Sequence, residues 1–219
     1  YSNTNVKLSN FSILIIGDSH SQTSLNPDLF LDAKNIAQSK EPYALTFWKL
    51  KHILQSNKID TLLIGFSHHN ISSFNDYKFS NKKWSNQLFK RCYAIEDFYS
   101  IKQIIHVDYF DFYKIMIQQT CIYPKVNHFN FIGSYRSHDR SNISDSIESS
   151  SRHYMRNNQE LGVSEISISY LDSIISLCNH NSITPIIIVS PVHKSYYKRI
   201  PKEISIRFET ILNDLDAEG

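Results

Sequence analysis

Glycine is scarce in this chain, with 5 among 219 residues, and cysteine scarcer still, with 3. Cys92, Cys121 and Cys178 lie far apart and form no C-x-x-C pair, which argues against a zinc knuckle or a thioredoxin-type site. Cys178 falls in an apolar helical pattern and reads as a small core residue, so cysteine usage leaves the compartment open. No run of about 18 apolar residues is present, and no transmembrane helix is expected within these residues. No signal peptide is visible either. The chain opens on Tyr1 rather than Met, which leaves room for a removed anchor or signal and for a periplasmic or cell-surface location. Charge of one sign is also missing: 23 Lys and Arg against 21 Asp and Glu give a net charge of +2. Nucleic acid is therefore not an expected partner, and the densest basic group, Lys194, Lys198, Arg199 and Lys202, reads as a solvated helix face. No internal repeat is found.

What is present suits one globular domain, with 41% hydrophobic and 20% charged residues. The 13 Tyr and 13 Phe are expected mainly in core and helix packing, with Trp84 and exposed tyrosines available to stack on sugar rings. Apolar runs at 12–16, 61–64 and 184–189 read as buried parallel strands, with a weaker one at 33–37. Between and after them, 41–54, 164–180 and 201–215 carry apolar residues at helical spacing. Alternating strands and helices predict an α/β fold with a doubly wound, mostly parallel sheet and helices on both faces, in three flavodoxin-like layers. The middle, from about 74 to 156, is less regular, with an aromatic helix expected at 108–119. Residues 133–156, dense in Ser, Arg, Asn and His, read as a long polar loop or lid. The helix at 201–215 leads into no further strand, an unfinished βαβ unit that suggests a natural protein continuing beyond Gly219.

Chemistry gathers at three strand ends. After the first strand comes Gly17-Asp18-Ser19-His20, after the second Gly65-Phe66-Ser67-His68-His69-Asn70, and after the last Ser190-Pro191-Val192-His193. Loops leaving the carboxyl ends of parallel strands are where open α/β sheets bind ligands. A serine nucleophile needs a neighbouring base and polarising N–H donors, and each of these ends holds both Ser and His.

The segment Ile15-Ile16-Gly17-Asp18-Ser19-His20 resembles the first block of the SGNH/GDSL hydrolases, which places the nucleophile at Ser19. Asn35-Ile36-Ala37-Gln38-Ser39 resembles the second block, with Ala37 or Lys40 at its usual glycine. The Gly65–Asn70 stretch stands where the third block would be, its Asn displaced along the chain, and Ser190-Pro191-Val192-His193 keeps the His of the last block with Ser in place of Asp. The resemblance implies one SGNH-like domain over 1–219, lacking its C-terminal strand and Asp-x-x-His block. It implies a serine-dependent esterase or O-acyltransferase acting on an acylated carbohydrate or small ester, in the setting of bacterial cell-surface polysaccharide. Ser19 and His193 would be catalytic, the true His otherwise lying beyond Gly219. Gly65, Ser67, His68, Asn70 and Ser39 would serve the oxyanion or the substrate.

Blander readings stand beside these. Asp18 reads as a turn or helix cap, and His20 divides evenly between a site residue and a solvated helix start. His193 either contacts the site or opens an exposed helix. Adjacent His68 and His69 rarely ligate one ion, so no metal and no cofactor is expected. Asp18-x-His20 evokes a metallophosphoesterase block whose companion segments are missing. From another functional class comes a non-catalytic SGNH-like module that binds a glycan or a protein.

Overall fold

The computed structural model describes residues 11–118, 121, 132–137 and 143–217. Strand β1 (Ile13–Ile16) leads to the short helix α1 (Ser19–Ser24), a 3-10 turn at Pro27–Leu29 and β2 (Ala33–Asn35). Helix α2 (Tyr43–Leu54) starts directly behind Pro42 and is followed by β3 (Thr61–Phe66) and a second 3-10 turn, His68–Ile71. Helices α3 (Phe74–Ser80), α4 (Lys82–Cys92), α5 (Phe98–Ile104), α6 (Tyr109–Ile117) and α7 (Ile143–Tyr154) come next. A small hairpin, β4 (Met155–Arg156) and β5 (Gln159–Glu160), precedes α8 (Glu165–His180), β6 (Thr184–Val189), α9 (Lys194–Tyr197) and α10 (Lys202–Ala217).

The main sheet runs β2-β1-β3-β6 with every neighbour parallel, so the chain is an α/β fold on a parallel sheet. From β1 the chain steps outward to β2 and later to β3 on the other side. The crevice between the carboxyl ends of β1 and β3 is thus a topological switch point, the usual ligand position in such sheets. Leu14, Ile16, Leu62, Ile64 and Phe66 form one apolar face of the sheet. They share a core with Leu50 and Ile53 of α2, Ile168, Leu171 and Ile174 of α8, and Ile204 and Phe208 of α10. Each fully buried Leu or Ile contributes roughly 1.5–3 kcal/mol. The other side of α2, with Ala44, Leu45 and Trp48, meets a second cluster built by Phe79, Leu88, Phe89, Ile101 and Ile115.

An ionic knot joins these layers. Lys49, inside α2, bonds Glu41 at 2.7 Å and the Ile36 carbonyl at 2.8 Å, while Arg91 of α4 pairs with Glu41 and reaches Gln38 at 2.6 Å. Burial pushes the Lys49 ammonium down, and Glu41 opposes that shift.

Two expectations need correcting. The strand expected at 61–64 runs on through Gly65 and Phe66, because these pair with Ile188 and Val189 of β6. The expected loop at 133–156 contains a helix, α7. Serine is an indifferent helix former, so the stretch carries little local signal. Buried Ser150 and Tyr154, packed from outside the segment, select the helix. Residues 138–142 of that expectation, and Gln119 of the expected 108–119 helix, lie outside the described residues.

Candidate active site

The β1 end is shaped by two glycines and one serine. Gly17 takes φ 136°, which a side chain rarely permits. A Cβ on Gly17 would stand 2.5 Å from Ser21 Oγ, and one on Gly65 only 1.6 Å from it. Ser21 fills the space both glycines leave, so α1 sits directly over the β1–β3 seam. Gly65 is therefore accounted for by packing: it lies within the strand beneath Ser21, with its carbonyl accepting from the Tyr43 hydroxyl at 2.8 Å. Gly65 is thus a strand residue, where the sequence reading placed it in a loop.

Asp18, 6% exposed, is the hub. Its Oδ1 accepts the His20 backbone N–H at 2.9 Å and so caps α1, as the sequence suggested. Its Oδ2 accepts the Asn70 amide at 2.9 Å and pairs with His69 Nε2. Burial works to raise this carboxyl, but His69 and His20 hold it well below the usual carboxylate range. An ionised Asp18 requires the proton on His69 Nε2, which leaves Nδ1 as the other ring position. That Nδ1 is buried and has no hydrogen-bond partner. A buried polar atom left unpaired costs roughly 1–3 kcal/mol and calls for an explanation in function.

The turn that presents His69 is braced from behind. Asn70 Oδ1 accepts the Ser67 backbone N–H at 2.7 Å, and Asn75 donates to the His69 and Asn70 carbonyls at 3.1 and 2.9 Å. Lys78 in turn donates to Asn75 at 2.7 Å, its ammonium pushed down to about 7 by burial. Asn70 thus uses its amide on Asp18 and on the Ser67 backbone, which ties the turn after β3 to the carboxylate. His68 turns the other way. It stacks on Phe208 at 3.8 Å and is pushed down to about 4, first by burial and then by His69.

Three imidazoles flank the carboxylate. His20 lies 4.7 Å from His69, and His153 of α7 stacks on His69 at 4.5 Å and 16°. The Tyr196 hydroxyl donates to Tyr154 at 3.0 Å and lies 2.8 Å from His153 Nδ1, which makes His153 Nδ1–H the donor of that bond. Burial, then the neighbouring His69, pushes His20 down to about 4 and His153 to about 2. His153, Tyr154 and Tyr196 were not singled out by sequence. Their only local signal is a His-Tyr pair at the end of a polar stretch.

Ser19 opens α1, directly after the residue that bonds His69 and Asn70. It is half-buried, and its hydroxyl makes no hydrogen bond among the described residues. Beside it a groove of about 350 Å³ is lined by His20, Thr23, Ser24, Ser190, His193 and Tyr196, with Asp145, Ser146 and Ser149 of α7 opposite. Ser24 and Ser190 approach to 3.3 Å, tying α1 to the end of β6. The ends of β1 and β6 thus meet in this groove, and the β3 end reaches its edge through the His20–His69 contact. His193 is exposed, caps α9 and pairs through Nδ1 with Ser195 at 2.6 Å, with no bond to Ser19. Ser39 does not face the groove: its N–H and hydroxyl both donate to Gln22, at 3.1 and 2.7 Å, pinning α1 to the loop after β2. Among the described residues no group of three or more His, Cys, Asp or Glu is arranged to hold a metal ion. Compared with models of protein families and with curated proteins, the chain finds no match.

Proposed function

We propose that this chain is an SGNH-type serine esterase or O-acyltransferase acting on an acylated carbohydrate, of the kind that modifies bacterial cell-surface polysaccharide. The observation that carries this reading is the Asp18–His69 pair at the β1–β3 switch point, adjacent to Ser19. Ser19 Oγ attacks the ester carbonyl and gives its proton to His69 Nδ1, and Asp18 stabilises the imidazolium that forms. The Ser19 backbone N–H, at the first position of α1, holds the oxyanion. The departing alkoxide takes the proton back from His69, leaving acyl-Ser19. Water then releases the acid, or a sugar hydroxyl accepts the acyl group. His20 is the poorer base, because consecutive helical residues point about 100° apart. His69 therefore takes the role of base for which His193 or a histidine beyond Gly219 was expected, and His193 becomes a substrate contact at the groove rim.

Acetate release from a small acetyl ester tests the reading. Ser19→Ala should lower turnover by ~10³-fold or more, as loss of a nucleophile does elsewhere. Full activity in that variant would remove Ser19 from the chemistry. A second reading, a non-catalytic module that binds a glycan or a protein, draws support from the absence, among the described residues, of a Ser19–imidazole hydrogen bond. Glycan binding without turnover in the unaltered protein would select it.

A further inference from the structure

We infer that the cavity bounded by α2, α4, α5 and α6 binds a small organic cation, an alkylated ammonium, against a row of aromatic rings. Its volume is about 520 Å³, within the roughly 300–1,000 Å³ of small-molecule sites. Among the described residues it shares none of its lining with the groove beside Ser19, so the inference stands apart from the esterase reading. Four rings line it in sequence: Tyr93 lies 6.1 Å from Phe89, Phe89 5.4 Å from Phe112, and Phe112 4.4 Å from Phe98. Phe89 is buried and Phe98 exposed, so the row runs from the core to the surface.

Charge decides what that row would hold. Gln55 and Tyr93, the C-terminal caps of α2 and α4, both line the cavity, and so does Met116 in the last turn of α6. Three helices of 12, 11 and 9 residues thus bring their C-terminal ends, which carry partial negative charge, to one space. Two carboxylates, Glu96 and Asp97, line it as well, against one cation, Lys51. The Lys51 ammonium sits 2.6 Å from Glu96, so that pair cancels and Asp97 supplies the net charge. Bonds from the Ser100 hydroxyl and N–H hold the Asp97 carboxyl down to about 2, and it stays ionised at neutral pH. Aromatic faces are negative too, and attract a cation most strongly once it has left water. Rings, helix ends and Asp97 therefore all favour the same sign of guest. A neutral apolar guest would use only the area of the rings, and an anion would be repelled throughout.

Choline and 3,3-dimethylbutan-1-ol share one shape and differ at a single centre, a cationic nitrogen in the first and a neutral carbon in the second. Each is titrated by NMR into the unaltered protein. Choline should bind roughly tenfold more tightly, the preference expected for a partly desolvated cation over aromatic faces. Phe112→Leu, which keeps an apolar side chain but removes a ring, should lower that ratio severalfold. Asp97→Asn should lower it too while leaving α5 in place, because Asn caps a helix as well as Asp does. A choline preference that falls in either variant supports the inference. Equal binding of the two probes, tighter binding of the alcohol, binding of neither, or a ratio that neither substitution moves overturns it.

Discussion

Ser21 illustrates how much of this site is decided by single atoms. Its hydroxyl is buried, unpaired and wedged between two strand-end glycines. Gly65→Ala should cost about 1–3 kcal/mol by overpacking. Adding Ser21→Ala should recover only part of that, because the new Cβ would still lie 3.0 Å from the Ser21 Cβ. Urea midpoints of the single and double variants check this; full recovery would mean that another contact resists the methyl group. Asp18→Asn probes the hub. An amide cannot hold His69 in the same tautomer, and in the best-studied triad the equivalent change costs about 10⁴ in kcat. A kcat/KM for Asp18→Asn within a few-fold of the unaltered protein would show that the carboxylate is only a helix cap. At this scale the sequence was informative about Gly17-Asp18-Ser19-His20, because a polar turn directly after an apolar strand is a local pattern. It was silent on Asp18 meeting His69, a contact between residues 51 positions apart. It also singled out His193, which caps a helix, and not His69, which meets Asp18, since nothing local distinguishes a histidine held by a carboxylate from one that caps a helix.

Among the elements, strands and long helices were legible and α7 was not. β1, β3 and β6 are apolar runs with few other ways to be buried, and α2 and α8 carry their apolar residues at helical spacing. In α7 the residues Ile143, Ile147, Ser150 and Tyr154 do stand at helical spacing, but with two isoleucines among serines and charges the stretch reads as polar loop until Ser150 and Tyr154 are seen buried. The knot of Glu41, Lys49 and Arg91 is similarly hidden, because a lysine in the middle of α2 reads as solvent-facing until α4 covers it. Removing one partner of such a group strands the others' charge. Glu41→Ala should cost about 3–5 kcal/mol, several times the effect of an exposed pair. Lys82→Ala, which removes an exposed ammonium from Asp108 and Asp111, serves as the comparison. If denaturant unfolding gives the two variants equal losses, the knot is not a stabilising unit.

The molecule as a whole brings its ionisable groups together at the switch point, and its acid sensitivity should report that. His20 and His68 titrate near 4 in the fold and His153 near 2, against 6.5 for an unperturbed imidazole. Below pH 6.5 the unfolded chain therefore takes up protons that the folded chain refuses. Stability should fall as pH drops from 6.5 towards 4, by up to roughly 1.4 kcal/mol per unit for each such histidine. Asp18 adds in the same direction below its unperturbed 3.8, where the unfolded carboxyl gains a proton that the folded one resists. Thermal melts at pH 7.5, 6 and 5 should show a falling Tm, and His153→Phe should flatten the fall. A Tm constant over that range would place these imidazoles in water. The central claim is that the β1–β3 crevice activates Ser19, and covalent labelling tests it most directly. A fluorophosphonate applied to the native protein, followed by peptide mapping, should give one adduct on Ser19. The adduct should be absent after heat denaturation and formed far more slowly in His69→Ala. A native, folded chain that carries no adduct on Ser19, or labels at the same rate without His69, would contradict the account.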